Sequence, residues 1–243
     1  MEHVAAESGL AGWRPADATR GETIIEALAG IARVDHLVPL AGTFVAGKVM
    51  EAEVDSLRPA FEERNWDAVH TVRALEDRLA SDGSITFIFG VLADRPDTYG
   101  TAVLAAASAA LEAFARGLVL ELAPRCVNAV PPGTTDTPLL ARTLGEGRHA
   151  YVAALQEKLP LHRLGTAAEV GAAIVFLMSN GFMNGETLHI DGGSRIVRPV
   201  DSPWDRRGAA RVEPAVPLTG DQHGSADRTQ AALRGCGLVP TPA

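Results

Sequence analysis

Cys126-Val127-Asn128-Ala129-Val130-Pro131-Pro132-Gly133 is the stretch on which the fold turns. Cys126 to Val130 is small, β-branched and nearly apolar, the make-up of a strand covered on both faces. The prolines and the glycine stop the ladder at once, because proline offers no N–H and glycine accepts turn geometry. Just upstream, Gly100 to Leu122 is a very Ala-rich helical pattern whose small side chains permit close packing. Before it, Asp82-Gly83 marks a turn and Ile85 to Phe89 is an unbroken apolar run. Strand, long helix, strand in this order is the signature of a parallel α/β unit.

The same alternation continues outward. Val34 to Leu40 reads as a buried strand ending in Ala41-Gly42, and residues 54–79 read as one long helix that tolerates Pro59 near its start. Thr19-Arg20-Gly21-Glu22 has the spacing of a capping box before a helix that buries Ile24, Ile25, Leu28 and Ile31. Downstream, residues 134–164 hold helix-forming pieces, Ala167 to Met178 is helical, and Thr187 to Ile190 is a last strand closed by Asp191-Gly192-Gly193. After Val197, six prolines between 199 and 242 break the periodicity. Three parts result: an N-terminal segment 1–12, an α/β domain 13–197, and a Pro-rich C-terminal tail 198–243.

Composition narrows the function. The chain has 243 residues, of which 47% are hydrophobic and 21% charged, the balance of a soluble globular protein. Its formal charge of -8 argues against a nucleic-acid partner, which calls for a basic face. No uninterrupted apolar run is long enough to cross a bilayer, and Met1 to Leu10 lacks the regions of a signal peptide, so a cytoplasmic protein without a membrane partner is expected. Cys126 and Cys236 have neither metal-type nor disulfide-scaffold spacing, and no histidine pair has zinc-ligand spacing with a third ligand. Gly42-Thr43-Phe44-Val45-Ala46-Gly47-Lys48 nearly spells a phosphate loop, but Val49 supplies no hydroxyl for magnesium.

Several motifs occur in a fixed order: Asp17-Ala18-Thr19, Ala41-Gly42, Val127 to Gly133, Arg163-Leu164-Gly165 with Glu169, Gly185, and Asp191-Gly192-Gly193. Together they resemble the later three-quarters of a short-chain dehydrogenase/reductase. The resemblance implies a Rossmann-like, doubly wound parallel sheet that lacks the first β-α-β portion. It places Asp17 at the adenine, Thr137 beside the nicotinamide amide, and residues 134–164 over the substrate.

The departures are equally specific. The family's TGxxxGxG turn, which brings helix-start amides to the pyrophosphate, has no counterpart ahead of residue 13, so no dinucleotide cofactor is expected. The family's catalytic Tyr and Lys sit four apart on one helix face, and Leu104 and Ser108 stand at those positions. Phe89 stands where the substrate-orienting Ser belongs. Arg64 falls at the family's Asn, with Asn65 beside it in the alternative register.

What remains is an apolar cleft with one cation. Arg64 and Tyr99 are the candidate catalytic residues, and Phe89, Leu104, Ser108, Pro132, Gly133, Thr137, His149 and Tyr151 the candidate substrate pocket. A guanidinium is costly to bury without a partner, so Arg64 either anchors a ligand, pairs with Asp67 or Glu63, or lies on the surface. Tyr99 enters from the loop before the helix, without a lysine four residues on. The leading expectation is a non-redox enzyme, of cyclase, isomerase or lyase type, acting on a hydrophobic small molecule. A non-catalytic pseudoenzyme subunit and an NAD(P)-dependent oxidoreductase stand as alternatives. A homo-oligomer built on helices 54–79 and 100–122 is expected, because a shortened sheet leaves apolar surface to cover.

Overall fold

The computed structural model describes residues 14–40, 42–96 and 100–197. The segments 1–12 and 198–243, Ala41 of the Ala41-Gly42 pair, and the candidate Tyr99 lie outside the described residues.

Three parallel strands form the sheet: β1 (Val34–Leu37), β2 (Leu79–Ile88) and β3 (Cys126–Val130), in the order β1-β2-β3. His36 is level with Ser84, and Ser84 with Cys126, so all three strands point their C-terminal ends the same way. The alternation of β2 decides the layers. Ile85, Phe87 and Phe89 are buried in one cluster with Val127, Ala129 and residues of the helical layer. That layer contains α1 (Gly21–Ala27), the helical run 54–78, and α5 (Ala102–Glu121). Leu111, Ala115 and Leu118 of α5 pack into the cluster, and Phe114 stacks at a tilt on Phe87 with centroids 5.6 Å apart. Helix α8 (Ala167–Ser179) packs on β2 and β3 without joining this cluster, over the other face. The result is the parallel, doubly wound α/β architecture expected from the sequence, with β1 at one edge of the sheet among the described residues.

α5 is long and apolar enough to cross a membrane by length and hydropathy, despite Glu112 and Arg116. Its Leu104, Ala105, Ala107, Ser108, Leu111, Ala115 and Leu118 are buried against the rest of the protein, as in a core helix.

Three local expectations are corrected. The single helix over 54–79 is a chain of short pieces: α2 (Val54–Leu57), α3 (Pro59–Phe61), a π turn (Glu62–Trp66), α4 (Asp67–Leu75) and a 3-10 turn (Glu76–Arg78). Leu79 already belongs to β2. The Thr19–Glu22 capping box does not form, because the Asp17 carboxylate takes both the Thr19 amide and its hydroxyl, at 3.0 and 2.6 Å. The box that does form is Thr166 with Glu169 at the start of α8, where Arg163 and the Thr166 amide and hydroxyl also bind the carboxylate and lower its pKa to about 2. Thr187 and Ile190 make isolated bridges to Ala129 and Pro132 instead of a full strand.

Candidate functional site

In an open parallel sheet, ligands bind beyond the carboxyl ends of the strands, where loops diverge. Here three loops leave those ends: 38–53 after β1, 89–96 after β2, and 131–137 after β3.

The third loop is held by backbone contacts. The Gly133 amide donates to the Ile190 carbonyl at 3.0 Å, and a Cβ on Gly133 would stand 2.9 Å from the Asp191 Cα. Glycine is therefore required by close approach of two backbones. The Thr135 hydroxyl donates to the Gly133 carbonyl, and β4 (Thr135–Asp136) pairs with β5 (Gly165–Thr166). Thr137 accepts from the Leu140 amide and caps α6 (Pro138–Leu144), so its hydroxyl begins the helical segment that follows the loop. Helix α7 (Arg148–Lys158) comes next, and Arg148 is anchored to Asp136 at 2.5 Å. Of the two candidates on α7, His149 is exposed, whereas Tyr151 packs on the cluster of Leu155, Leu159 and Leu164.

The other candidates do not converge in one cleft. Phe89 is 4% exposed and belongs to the main core. Leu104 is buried in a second cluster with Val45, Leu57, Ala60 and Ala107. Ser108 is buried one turn on, and its hydroxyl donates to the Leu104 carbonyl at 2.9 Å, a bond inside the helix. In the near-phosphate loop 42–48 the Gly47 amide is already taken: it donates to the Gly100 carbonyl, and a Cβ on Gly47 would meet Ala52 at 2.7 Å.

The π turn explains how Arg64 and Asn65 divide their roles. It inserts an extra residue into the helix and rotates the turns beyond it. Asn65 is the side chain that meets α5, donating to the Ala107 carbonyl at 3.1 Å, and its own Oδ1 is buried without a partner. Arg64 instead lies over Gly42 and donates to the Thr43 carbonyl at 2.8 Å, while Glu63 accepts the Thr43 amide at 2.9 Å. Neighbouring charged residues thus hold both the N–H and the C=O of Thr43. Gly42, at φ 137°, leaves the room: a Cβ there would press on Arg64 at 2.9 Å.

From the sequence, Asp67 stands out only as a partner for Arg64. In the structure Asp67 is 4% exposed, and its Oδ1 has no hydrogen-bond partner among the described residues. Burial raises its pKa to about 6; Glu63 and Asp17 push the same way, and His70 opposes them. Asp67 lines a cavity of about 230 Å³ together with Arg64, Thr71, Ile24, Phe87 and Leu111. The one signal in the sequence is an acid beside Ala68 on the inward face of a helix, legible only once the π turn is known.

A dinucleotide can be tested against these residues. At the position that the resemblance gives to the adenine, Asp17 is exposed, oriented by Thr19, and held below the usual carboxylate range by those hydrogen bonds, an acceptor suited to an amino group. At the position that the resemblance gives to the nicotinamide stands the 131–137 loop, tied to Ile190 through its backbone. Between them one contact is missing: Ser108 is short, buried and internally bonded, and cannot clasp a ribose. No hydride or proton step is routed through Leu104 or Ser108.

Comparison with known proteins places this geometry. Residues 1–195 match the family model described as enoyl-(acyl carrier protein) reductase. The short-chain reductase protein NovJ of Streptomyces niveus is 31% identical over 66% of this chain and 64% of its own length. The acetoacetyl-CoA reductase of an Acinetobacter species is 29% identical over 70% of this chain and 69% of its own. A crystal structure of a small-chain dehydrogenase in complex with NADPH superposes with a TM-score of 0.71 at 33% identity, covering 74% of this chain and 83% of that one. The chain thus spans just under two thirds of NovJ. These names overturn the expectation of a non-redox cyclase, isomerase or lyase. That expectation rested on the replaced side chains at Phe89, Leu104 and Ser108, whereas the relatives that share the rest of the fold are reductases and dehydrogenases.

Proposed function

The chain belongs to the short-chain dehydrogenase/reductase family, and from that premise we propose that it serves as an NAD(P)-dependent oxidoreductase acting on the carbonyl or alcohol of a small molecule. The observation that carries the reading is the 33%-identical relative that binds NADPH on the same fold. Asp17 supports it at one edge of the dinucleotide and the Pro131–Thr137 loop at the other. Substrate is received beside α6 and α7, the segment that Thr137 caps and that stands where the family covers its substrate. Proton delivery does not use positions 104 and 108, and Asn65, bonded to the Ala107 carbonyl, is the polar group that this chain retains against that stretch of α5. Exposed Val54, Trp66 and Leu120 support self-association through the 54–79 and 100–122 segments.

The test is turnover. Purified full-length chain is mixed with NADPH or NADH and a short 3-oxoacyl thioester such as acetoacetyl-CoA, and loss of reduced nicotinamide absorbance is followed. Substrate-dependent oxidation that scales with protein supports the proposal. Oxidation indistinguishable from the protein-free rate, across thioester, ketone and aldehyde substrates, rejects it.

A further inference from the structure

On the outward side of the helical layer, α1 and α4 leave a groove between them that the oxidoreductase reading does not use. None of its lining residues belongs to the three loops beyond the carboxyl ends of the strands. α1 leads into β1 and α4 into the parallel β2, and the two helices pack together, so they run in the same direction. Gly21 fixes their level: a Cβ there would meet His70 Nδ1 at 3.2 Å, so the imidazole lies directly against α1. One turn on, Ile25 is level with Arg73 and Ala74, whereas Trp66 stands one turn before His70 at the opposite end. Trp66 is 55% and Ile25 46% exposed, and Val69 lines the groove with them. Two large apolar side chains open to water in one groove mark a surface that gains by being covered. The charges decide by what. Glu22 is held by Arg20 at 3.0 Å. Arg73 is exposed and has no hydrogen bond or ion pair among the described residues. A free guanidinium fork beside apolar surface suits a carboxylate on an apolar body.

We propose that this groove binds an aryl alkanoate, an aromatic ring joined through a short chain to a carboxylate, with the ring on Trp66 and the carboxylate on Arg73. From residue 66 to residue 73 a helix rises about 10 Å, which sets the length of the ligand at one ring and a chain of a few carbons. The chain lies along Val69 and Ile25. The groove encloses about 550 Å³, within the range of small-molecule sites. An alcohol of the same length keeps the apolar contact and loses the charge, and an amine meets Arg73 with like charge.

The experiment uses the full chain without any dinucleotide, so its outcome is separate from the oxidoreductase reading. Phenylbutyrate, phenylbutanol and phenylbutylamine are titrated by calorimetry near neutral pH, with light scattering reporting the oligomeric state. Phenylbutyrate is expected to bind saturably, about tenfold more tightly than phenylbutanol. Phenylbutylamine is expected not to bind. Arg73→Gln, at an exposed position where folding is not at risk, should weaken phenylbutyrate about tenfold while leaving phenylbutanol nearly unchanged. Arg73→Lys should keep only part of the affinity, because the fork is lost. Trp66→Ala should weaken the acid and the alcohol alike, by several-fold. Absence of saturable phenylbutyrate binding, equal binding of phenylbutanol or phenylbutylamine, or unchanged affinity in Arg73→Gln each overturns the proposal. Binding that appears only on dilution to the monomer overturns it too, and assigns the groove to a second copy of the chain.

Discussion

Replacing Asp67 by Asn is expected to stabilise the protein at neutral pH, although it removes a charge from a helix. Asp67 is 4% exposed, one of its oxygens lacks a partner, and burial raises its pKa from 3.8 to about 6. The raised value means that the folded state holds the proton more tightly than the unfolded state. Stability is therefore highest below the unfolded value and falls as pH rises from about 4 through 6. The rise of about two pH units, at 1.36 kcal/mol each, makes ionised Asp67 cost about 3 kcal/mol above pH 7. Asn escapes that cost but brings an amide N–H₂ needing partners of its own, a penalty of about 1–2 kcal/mol. The net gain near pH 7.5 is then roughly 1–2 kcal/mol, or a few degrees in Tm. Urea titrations of both proteins near pH 7.5 and near pH 4.5 are the assay. The advantage of the variant should shrink by about 2 kcal/mol at the lower pH, where folded Asp67 is already protonated. An advantage that stays constant between the two pH values, or a variant less stable near pH 7.5, refutes the assignment of Asp67 as an uncompensated buried acid.

Gly133→Ala should destabilise by about 1–3 kcal/mol, because the added methyl meets the Asp191 backbone, which cannot step aside as a side chain would; chemical denaturation measures it. Thr166→Ala removes the working cap of α8 and should cost about 1 kcal/mol, whereas Thr19→Ala should have no comparable effect on α1. Leu104→Tyr overfills the cluster of Val45, Leu57, Ala60 and Ala107 and should cost about 1–3 kcal/mol in the same titration.

The parts of the fold that are legible in the sequence are those with strong, simple periods. β3 runs over Cys126–Val130 as expected, and α5 differs from its expected span only at the ends. The broken run at 54–78 is not legible, because a 3.6-residue pattern cannot announce a π turn, and 62–66 contains neither Gly nor Pro to mark one. That single inserted residue takes Arg64 off α5 and brings Asn65 onto it, the reverse of the order that an unbroken helix implies. The Thr19 box fails through competition: Asp17, two residues back, offers the hydroxyl a closer acceptor. For the function, the replaced side chains in α5 are visible in the sequence, but they weigh less than a family pattern that extends through most of the chain. Asp67 is legible in the sequence only as a partner for Arg64, because its meaning depends on burial, which no local motif records.

The most direct test of the oxidoreductase reading is calorimetric titration of the full-length chain with NADPH and NADH. That reading predicts saturable, one-to-one binding of at least one of them, weakened when Asp17 at the adenine edge is changed to Ala. Absence of heat and of nicotinamide fluorescence change with both dinucleotides, at millimolar concentration and with the protein shown to be folded, would contradict it.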